Sequence, residues 1–281
     1  MKNLLFAIIA IATASSLSAQ RPTRFHNENA DTTIITSILI DLDKHHSANA
    51  QLLVAESARK FLGKPYKAGT LEGDSEILTV NVDEFDCTTF VETCIAMAMT
   101  VESKRTSWHD FLYSLEQLRY RGGEQKGYDS RLHYISDWIV DNSHRGILQE
   151  VTDRIGKADY TIKTLDYMTS HRDSYPALKN DDIFAGIKNA EIGYRSHRFP
   201  IIKPQNIKTA DIREGDIIAI TTSIKGLDVS HIGIATLIDG VPHLIHASSK
   251  AGKVISDPLP LQEYLRKNRT ATGIRVIRLK E

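Results

Sequence analysis

Downstream of Cys87, apolar side chains recur at three- and four-residue spacing: Phe90, Cys94, Met97, Ala98 and Val101. This predicts a helix of about four turns with one apolar stripe. Asp86 precedes it as the expected N-cap. A second helical pattern, Leu52, Ala55, Ala58, Phe61 and Leu62, ends at Gly63-Lys64-Pro65, a helix stop. Between the two, Pro65-Tyr66-Lys67-Ala68-Gly69 reads as a turn and Leu78 to Val82 as a short extended piece. Beyond Trp108 the pattern is mixed. An amphipathic helix near Phe111 to Tyr120 breaks at Gly122-Gly123, and Arg131 to Trp138 then sets aromatic, cationic and acidic side chains side by side. The last third switches period, and Ile217–Ile220, Ile232–Ile238, Val241–Ala247 and Gly273–Leu279 predict an antiparallel sheet. Asp239-Gly240 is the strongest hairpin signal in the chain. The expected class is α+β, with the sheet packed on the helix that begins at Cys87.

The N-terminus differs in kind. Lys2 is followed by an apolar run from Leu4 to Ala12 and by small residues up to Ala19, the pattern of a secretory signal peptide over residues 1–19. The run is too short to span a membrane, and no later stretch approaches the ~20 apolar residues a span needs. The mature protein is therefore expected in the periplasm. Residues 20–47 read as a polar, irregular arm, and 48–281 as a single domain with a large insertion at about 105–206. With 35 basic and 35 acidic residues, charge offers nothing to nucleic acid.

The two cysteines, Cys87 and Cys94, lie seven residues apart. On one helix that separates their Cα atoms by roughly 10 Å, against the roughly 4.4 to 6.8 Å a disulfide requires. A free thiol in an exported protein needs a reason, and catalysis is one. At a helix start, Cys87 faces unpaired N–H groups and the positive end of the macrodipole, both of which favour thiolate. It is then expected to react with iodoacetamide well below neutral pH. The same residue also reads as a small buried hydrophobe. Cys94, on the apolar stripe, reads as core.

Eleven histidines compete for the role of base. A two-residue turn at Asp239-Gly240 pairs Ile238 with Val241 and, counting outward, Gly233 with His246. His231 and His246 then share a face as diagonal neighbours, whereas His243 faces the other way. A cysteine, a histidine and a third polar group that orients it form the generalised triad, so Cys87, His231 and His246 are the candidate set. A zinc site from His231, His243 and His246 is the rival, disfavoured by the facing of His243 and by the absence of H-E-x-x-H.

These residues resemble a known family. Asp86-Cys87 with Phe90-Val91, Ser230-His231-Ile232-Gly233-Ile234 and His246 on the next strand are similar to the NlpC-type cell-wall cysteine peptidases, papain-like enzymes acting on peptidoglycan. Gly63-Lys64-Pro65-Tyr66 and Gly215-Asp216-Ile217-Ile218 resemble the segment before the nucleophile and the first core strand. Thr88-Thr89 replaces the usual Ser-Gly, and 144 residues separate Cys87 from His231, more than in compact members. Both departures, together with Phe85 to Glu92, Ser130 to Tyr134 with Asp137-Trp138, and Gly226 to His231, resemble the N-acetylmuramoyl-L-alanine amidase-like branch.

The resemblance implies a papain-like NlpC-type fold and cleavage of the amide between N-acetylmuramic acid and L-alanine in muropeptides. It implies Cys87 as nucleophile, His231 as base and His246 as its orienter, with no metal or cofactor. Tyr66, Asp86 and Ser230 are expected at the substrate. Tyr134, Asp137 and Trp138 are expected to build the sugar-side wall, because a glycan offers flat faces to aromatics and hydroxyls to carboxylates. The chain is expected to act as a monomer. Two other readings stay open: a stem-peptide endopeptidase cutting, for example, a D-glutamyl–diamino acid bond, and a non-catalytic cell-wall binding module.

Overall fold

The computed structural model describes residues 22–44 and 49–280, so the signal-peptide reading falls outside the described residues. The chain enters as a short strand, β1 (Thr23–Phe25), and a helix, α1 (Glu28–Asp43). Over the described residues 22–44 this corrects the reading of 20–47 as an irregular arm. Asn27 caps α1 by accepting from the Ala30 N–H at 3.2 Å, and Ile35, Ile38, Leu39 and Leu42 bury one face. The opposite face is rich in threonine, which disguises the helix as polar coil. Thr32, Thr33 and Thr36 each donate a hydroxyl to the carbonyl four residues back, at 2.7, 2.7 and 2.8 Å. Asp31 is fully buried and accepts from the Asn27 and Val82 N–H groups, tying α1 to the segment that leads into Cys87.

Helix α2 (Ala50–Lys60) and strand β2 (Leu78–Val80), parallel to β1, precede the central helix α3 (Cys87–Glu102). Burial on α3 extends well beyond the expected stripe. Phe90, Cys94 and Met97 are covered, and so are Val91, Ile95 and Ala96 on its flanks, because α1, α2, α4 (Trp108–Arg119) and the main sheet all pack against it. Within this apolar shell Arg119 donates to Glu92 and to the Thr79 carbonyl, both at 2.7 Å, so two buried charges satisfy each other and one strand end.

Helix α5 (Ile135–His144) and strand β3 (Leu148–Glu150) also join the main body. A ribbon of β4 (Asp159–Ile162) and β5 (Arg198–Ile201) flanks α6 (Tyr167–Ser170) and α7 (Asp181–Gly193), which share a small core of Tyr128, Tyr134, Leu165, Met168, Leu178 and Ile187. The last third supplies β6 (Ile217–Thr222), β7 (Val229–Ile238), β8 (Val241–Ser248), β9 (Lys253–Ser256), α8 (Leu261–Lys267) and β10 (Ala271–Leu279). The main sheet is antiparallel in the order β3-β10-β6-β7-β8-β9, giving the mixed α+β architecture that the sequence predicts. The α3 side of this sheet carries the large core, and α8 helps close a second on the other side. Among the described residues no helix is long and apolar enough to cross a membrane.

Because α1 is core and not arm, Leu39→Ala is expected to cost about 2 to 5 kcal/mol in a urea titration. A loss under about 0.5 kcal/mol, typical of a surface site, would contradict this packing.

Candidate active site

Cys87 is the first residue of α3, held there by a reciprocal cap. Asp86 accepts from the Thr89 N–H at 2.8 Å while the Asp86 N–H donates to the Thr89 hydroxyl at 3.0 Å. Phe85, fully buried edge-on to Phe61 and Phe90, anchors the approach. Tyr66 runs alongside it. The Phe85 N–H donates to the Pro65 carbonyl at 3.0 Å, the Lys67 N–H donates to the Phe85 carbonyl at 2.9 Å, and the Tyr66 N–H donates to the Gly252 carbonyl at 2.9 Å. This strap joins the helix entry to the β8–β9 end of the sheet. Burial, then the nearby Cys87 and Asp86, raises the Tyr66 phenol above its usual range.

The hairpin register places the two histidines. Asp239 and Gly240 both have positive φ, 51° and 76°, as a two-residue primed turn requires. Ile238 pairs with Val241 and Ile234 with Ile245, as counted from the sequence. On the other side of β7, Ile220 pairs with His231 but Thr221 with Val229, which leaves Ser230 as the extra residue of a β-bulge beside the histidine. His231 Nε2 lies 2.6 Å from His246 Nδ1, and His246 Nε2 lies 3.3 Å from Asp257 Oδ2. This geometry sets the tautomers. When the Nε2–H of His246 donates to Asp257, its Nδ1 must accept from the Nε2–H of His231, so the open nitrogen of His231 is Nδ1. The Ile232 backbone hydrogen-bonds the Cys87 thiol, which puts the sulfur beside the residue that follows His231.

Electrostatics at rest differ from the expected thiolate. Burial, then the Asp86 charge, pushes the Cys87 thiol up to about 11, against the weaker pull of hydrogen bonds from the Ile232 backbone, the Thr88 side chain and its own N–H. Burial, reinforced by His246, holds His231 down to about 3. Burial lowers His246 as well, and Asp257 partly offsets this. Desolvation therefore outweighs the helix dipole, and the resting pair is neutral thiol and neutral imidazole. Both cysteines are free, with Cys94 deep in the core.

The remaining expected residues separate into two groups. Asp86 and Tyr66 lie at Cys87, and Ser230 lies beside His231 with a buried hydroxyl that finds no protein partner among the described residues. Tyr134, Asp137 and Trp138 do not line a cleft, a correction to the sugar-wall reading. They are only 4%, 2% and 1% exposed. Tyr134 donates to Glu191 at 2.7 Å and accepts from the Met168 N–H at 2.9 Å. Asp137 accepts from Arg121 and from Tyr194, the latter at 2.6 Å. The polar atoms of Tyr134 and Asp137 fasten the segment 160–195 to the first turn of α5, and Trp138 is buried with its Nε1–H lacking a protein partner among the described residues. His243, the third member of the zinc alternative, points away and lies 3.0 Å from the Asp257 carbonyl oxygen. Among the described residues no three His, Cys, Asp or Glu side chains converge to hold a metal.

Two residues at the site escape sequence reasoning, Asp257 and Tyr264. Asp257 directly follows β9 and Tyr264 sits in α8, two elements that the pattern does not reveal, and neither residue lies in a motif. The Asp-Pro-Leu-Pro run from Asp257 to Pro260 is the one available signal, a rigid elbow after a short strand.

Over residues 56–274 the chain matches the family model described as AmiA-like, N-acetylmuramoyl-L-alanine amidase-like. The crystal structure of an N-acetylmuramoyl-L-alanine amidase from Bacteroides uniformis is similar with a TM-score of 0.79 and 38% identity, covering 83% of this chain and 100% of that one. A protein from Bacteroides fragilis described as a proposed xylanase gives a TM-score of 0.76 and 41% identity over 80% and 100% of the two chains. A Legionella pneumophila protein with a TM-score of 0.68 and 21% identity, over 90% and 95%, shares the fold. No curated protein matches the chain.

Because the thiol is raised to about 11, alkylation of Cys87 by iodoacetamide is expected to be slow at pH 6 and to climb about tenfold per pH unit up to pH 9. Cys94 should stay unlabelled until the protein unfolds. Rapid labelling of Cys87 below pH 6 would show a preformed thiolate and contradict the neutral resting pair.

Proposed function

Since the chain belongs to the AmiA-like, N-acetylmuramoyl-L-alanine amidase-like family, we propose that it hydrolyses the amide between the lactyl group of N-acetylmuramic acid and L-alanine in muropeptides, using a papain-like NlpC-type thiol mechanism. The observation that carries this reading is the hydrogen-bonded run His231–His246–Asp257 beside a cysteine at a helix N-terminus. The leader-like pattern at residues 1–19 supports a periplasmic site of action.

In this mechanism substrate enters against a neutral Cys87. As the sulfur attacks the lactyl carbonyl carbon, its proton passes to Nδ1 of His231, so charge develops only as the bond forms. The new imidazolium donates through Nε2 to His246, whose own Nε2–H is held by Asp257. The oxyanion gathers at the unpaired N–H groups of the first turn of α3, with the Tyr66 phenol as a second donor. Collapse breaks the C–N bond, and His231 returns its proton to the departing L-alanine amine. Water then attacks the thioester with His231 as base, releasing the muramic acid carboxylate and restoring the thiol.

Glycoside hydrolysis, the chemistry in the name of the Bacteroides fragilis neighbour, needs two carboxylates set about a scissile bond. Here Asp86 caps α3 and Asp257 holds His246, so both nearby carboxylates are committed. A binding module has no use for a satisfied histidine relay. The stem-peptide endopeptidase shares all of this machinery, and only the product separates it from the amidase.

Mass spectrometry of products from a defined disaccharide tetrapeptide decides. Free tetrapeptide beginning at L-alanine is expected with the wild type and none with Cys87→Ala. A shorter peptide, leaving alanine and glutamate on the sugar, would mean the endopeptidase, and no cleavage would mean a binding module. Asp257→Asn is expected to lower kcat roughly tenfold to a thousandfold with KM little changed, because it releases the tautomer of His246.

A further inference from the structure

Taking its substrate, but not its geometry, from the amidase reading, we propose that Tyr264 is a positioning residue whose ring closes the α8 side of the histidine pair and fixes the angle between the two imidazoles. The three rings form a closed triangle. The Tyr264 centroid lies 5.5 Å from that of His246 at an interplanar angle of 84° and 6.4 Å from that of His231 at 31°. The imidazoles themselves are 4.8 Å apart at 84°. Edge-to-face contact is the preferred arrangement of such rings, so rotating His246 costs packing against both Tyr264 and His231 as well as the shared hydrogen bond, and the tilted Tyr264 ring flanks His231.

The ring is held from behind. Leu261 and Leu265, on either side of Tyr264 in α8, are buried in the second core. The elbow into α8 is stiffened by Pro258 and Pro260. There Asp257 Oδ1 accepts from the Leu259 N–H and the Pro260 carbonyl accepts from the Tyr264 N–H, each at 2.9 Å. One elbow thus delivers both the carboxylate that pins His246 Nε2 and the ring that braces the pair. No hydrogen bond to the Tyr264 hydroxyl is found among the described residues, so the ring carries the role.

Water is the second thing the ring excludes. The groups set against His231 are His246 from β8 with Asp257 behind it and Tyr264 from α8, while Cys87, with Asp86 and Tyr66 near it, is tied to the backbone of the next residue, Ile232. Burial is the largest cause of the depressed His231 basicity, and Tyr264 is the large apolar surface on its α8 side. Removing the ring admits water to the Nε2···Nδ1 contact. Imidazolium is then better solvated, and the thiolate–imidazolium state becomes easier to reach at rest, while the base loses its fixed aim.

The test compares Tyr264→Phe and Tyr264→Ala in the mature protein by two readouts: the pH dependence of Cys87 alkylation by iodoacetamide, which needs no substrate, and kcat and KM for tetrapeptide release. Tyr264→Phe is expected to match the wild type within about twofold in both. Tyr264→Ala is expected to lower kcat roughly 10- to 100-fold at nearly constant KM and to move the alkylation profile to lower pH by about one unit. If the alanine variant fails to fold in a thermal melt, Tyr264→Leu takes its place, keeping apolar bulk without the ring. A folded ring-less variant with unchanged kcat and alkylation profile overturns the proposal. So does a phenylalanine variant as impaired as alanine, which would assign the work to the hydroxyl, or a rise in KM alone, which would make Tyr264 a substrate contact. Should even the wild type release no tetrapeptide, the amidase reading fails while the alkylation profiles still decide the role of Tyr264.

Discussion

The two-residue turn at Asp239-Gly240 fixes the register of β7 against β8, and the rest of the site depends on that register. Side chains alternate faces along a strand, so a slip of one residue would send His246 to the far face and leave His231 without its partner. In the observed register His246 meets His231 at 2.6 Å and His243 turns to the Asp257 backbone. The bulge at Ser230 adds a local twist next to His231, just before Ile232, whose backbone meets the Cys87 thiol at the start of α3. The sheet core and the hairpin thus act together: Ile232, Ile234 and Ile245 hold the strands to α3 while the polar alternates form the relay.

A second constraint comes from solvent exclusion. The start of α3 offers a macrodipole and free N–H groups that would favour thiolate, yet the enclosing core makes charge at Cys87 costly. On the mechanism we propose, such a site keeps the Cys87 thiol protonated until a substrate supplies a reason to ionise it. The design is consistent with the surroundings: Asp31 and the Glu92–Arg119 pair are buried polar groups satisfied by specific partners, and they stiffen the scaffold that carries Cys87.

Local chemistry was legible in the sequence, and tertiary chemistry was not. Asp86 as cap, Cys87 at a helix start and the pairing of Ile238 with Val241 follow from short-range rules, and the coordinates bear out those three geometric points. Helix α1 was hidden because its threonines satisfy themselves on its own carbonyls and dilute the apolar period. Strand β9 has four residues and α8 has seven, too few for a periodic signal, so Asp257 and Tyr264 had no element to sit on. The run from Tyr134 to Trp138 reads the same whether its side chains grip a sugar or grip Arg121, Tyr194 and Glu191, and burial chose the latter. The thiol's raised basicity is likewise a property of the enclosure, which no spacing of residues along the chain reports.

The central claim is that Cys87 takes the glycan side of the scissile amide as a thioester while the peptide leaves. Its most direct test is the intact mass of the protein after rapid mixing with a disaccharide tetrapeptide and an acid quench. The account requires a transient adduct equal to the disaccharide acyl group, mapped to Cys87 and absent in Cys87→Ala. An adduct that retains alanine and glutamate on the sugar would contradict the amidase assignment, and turnover with no adduct that survives in Cys87→Ala would contradict thiol catalysis altogether.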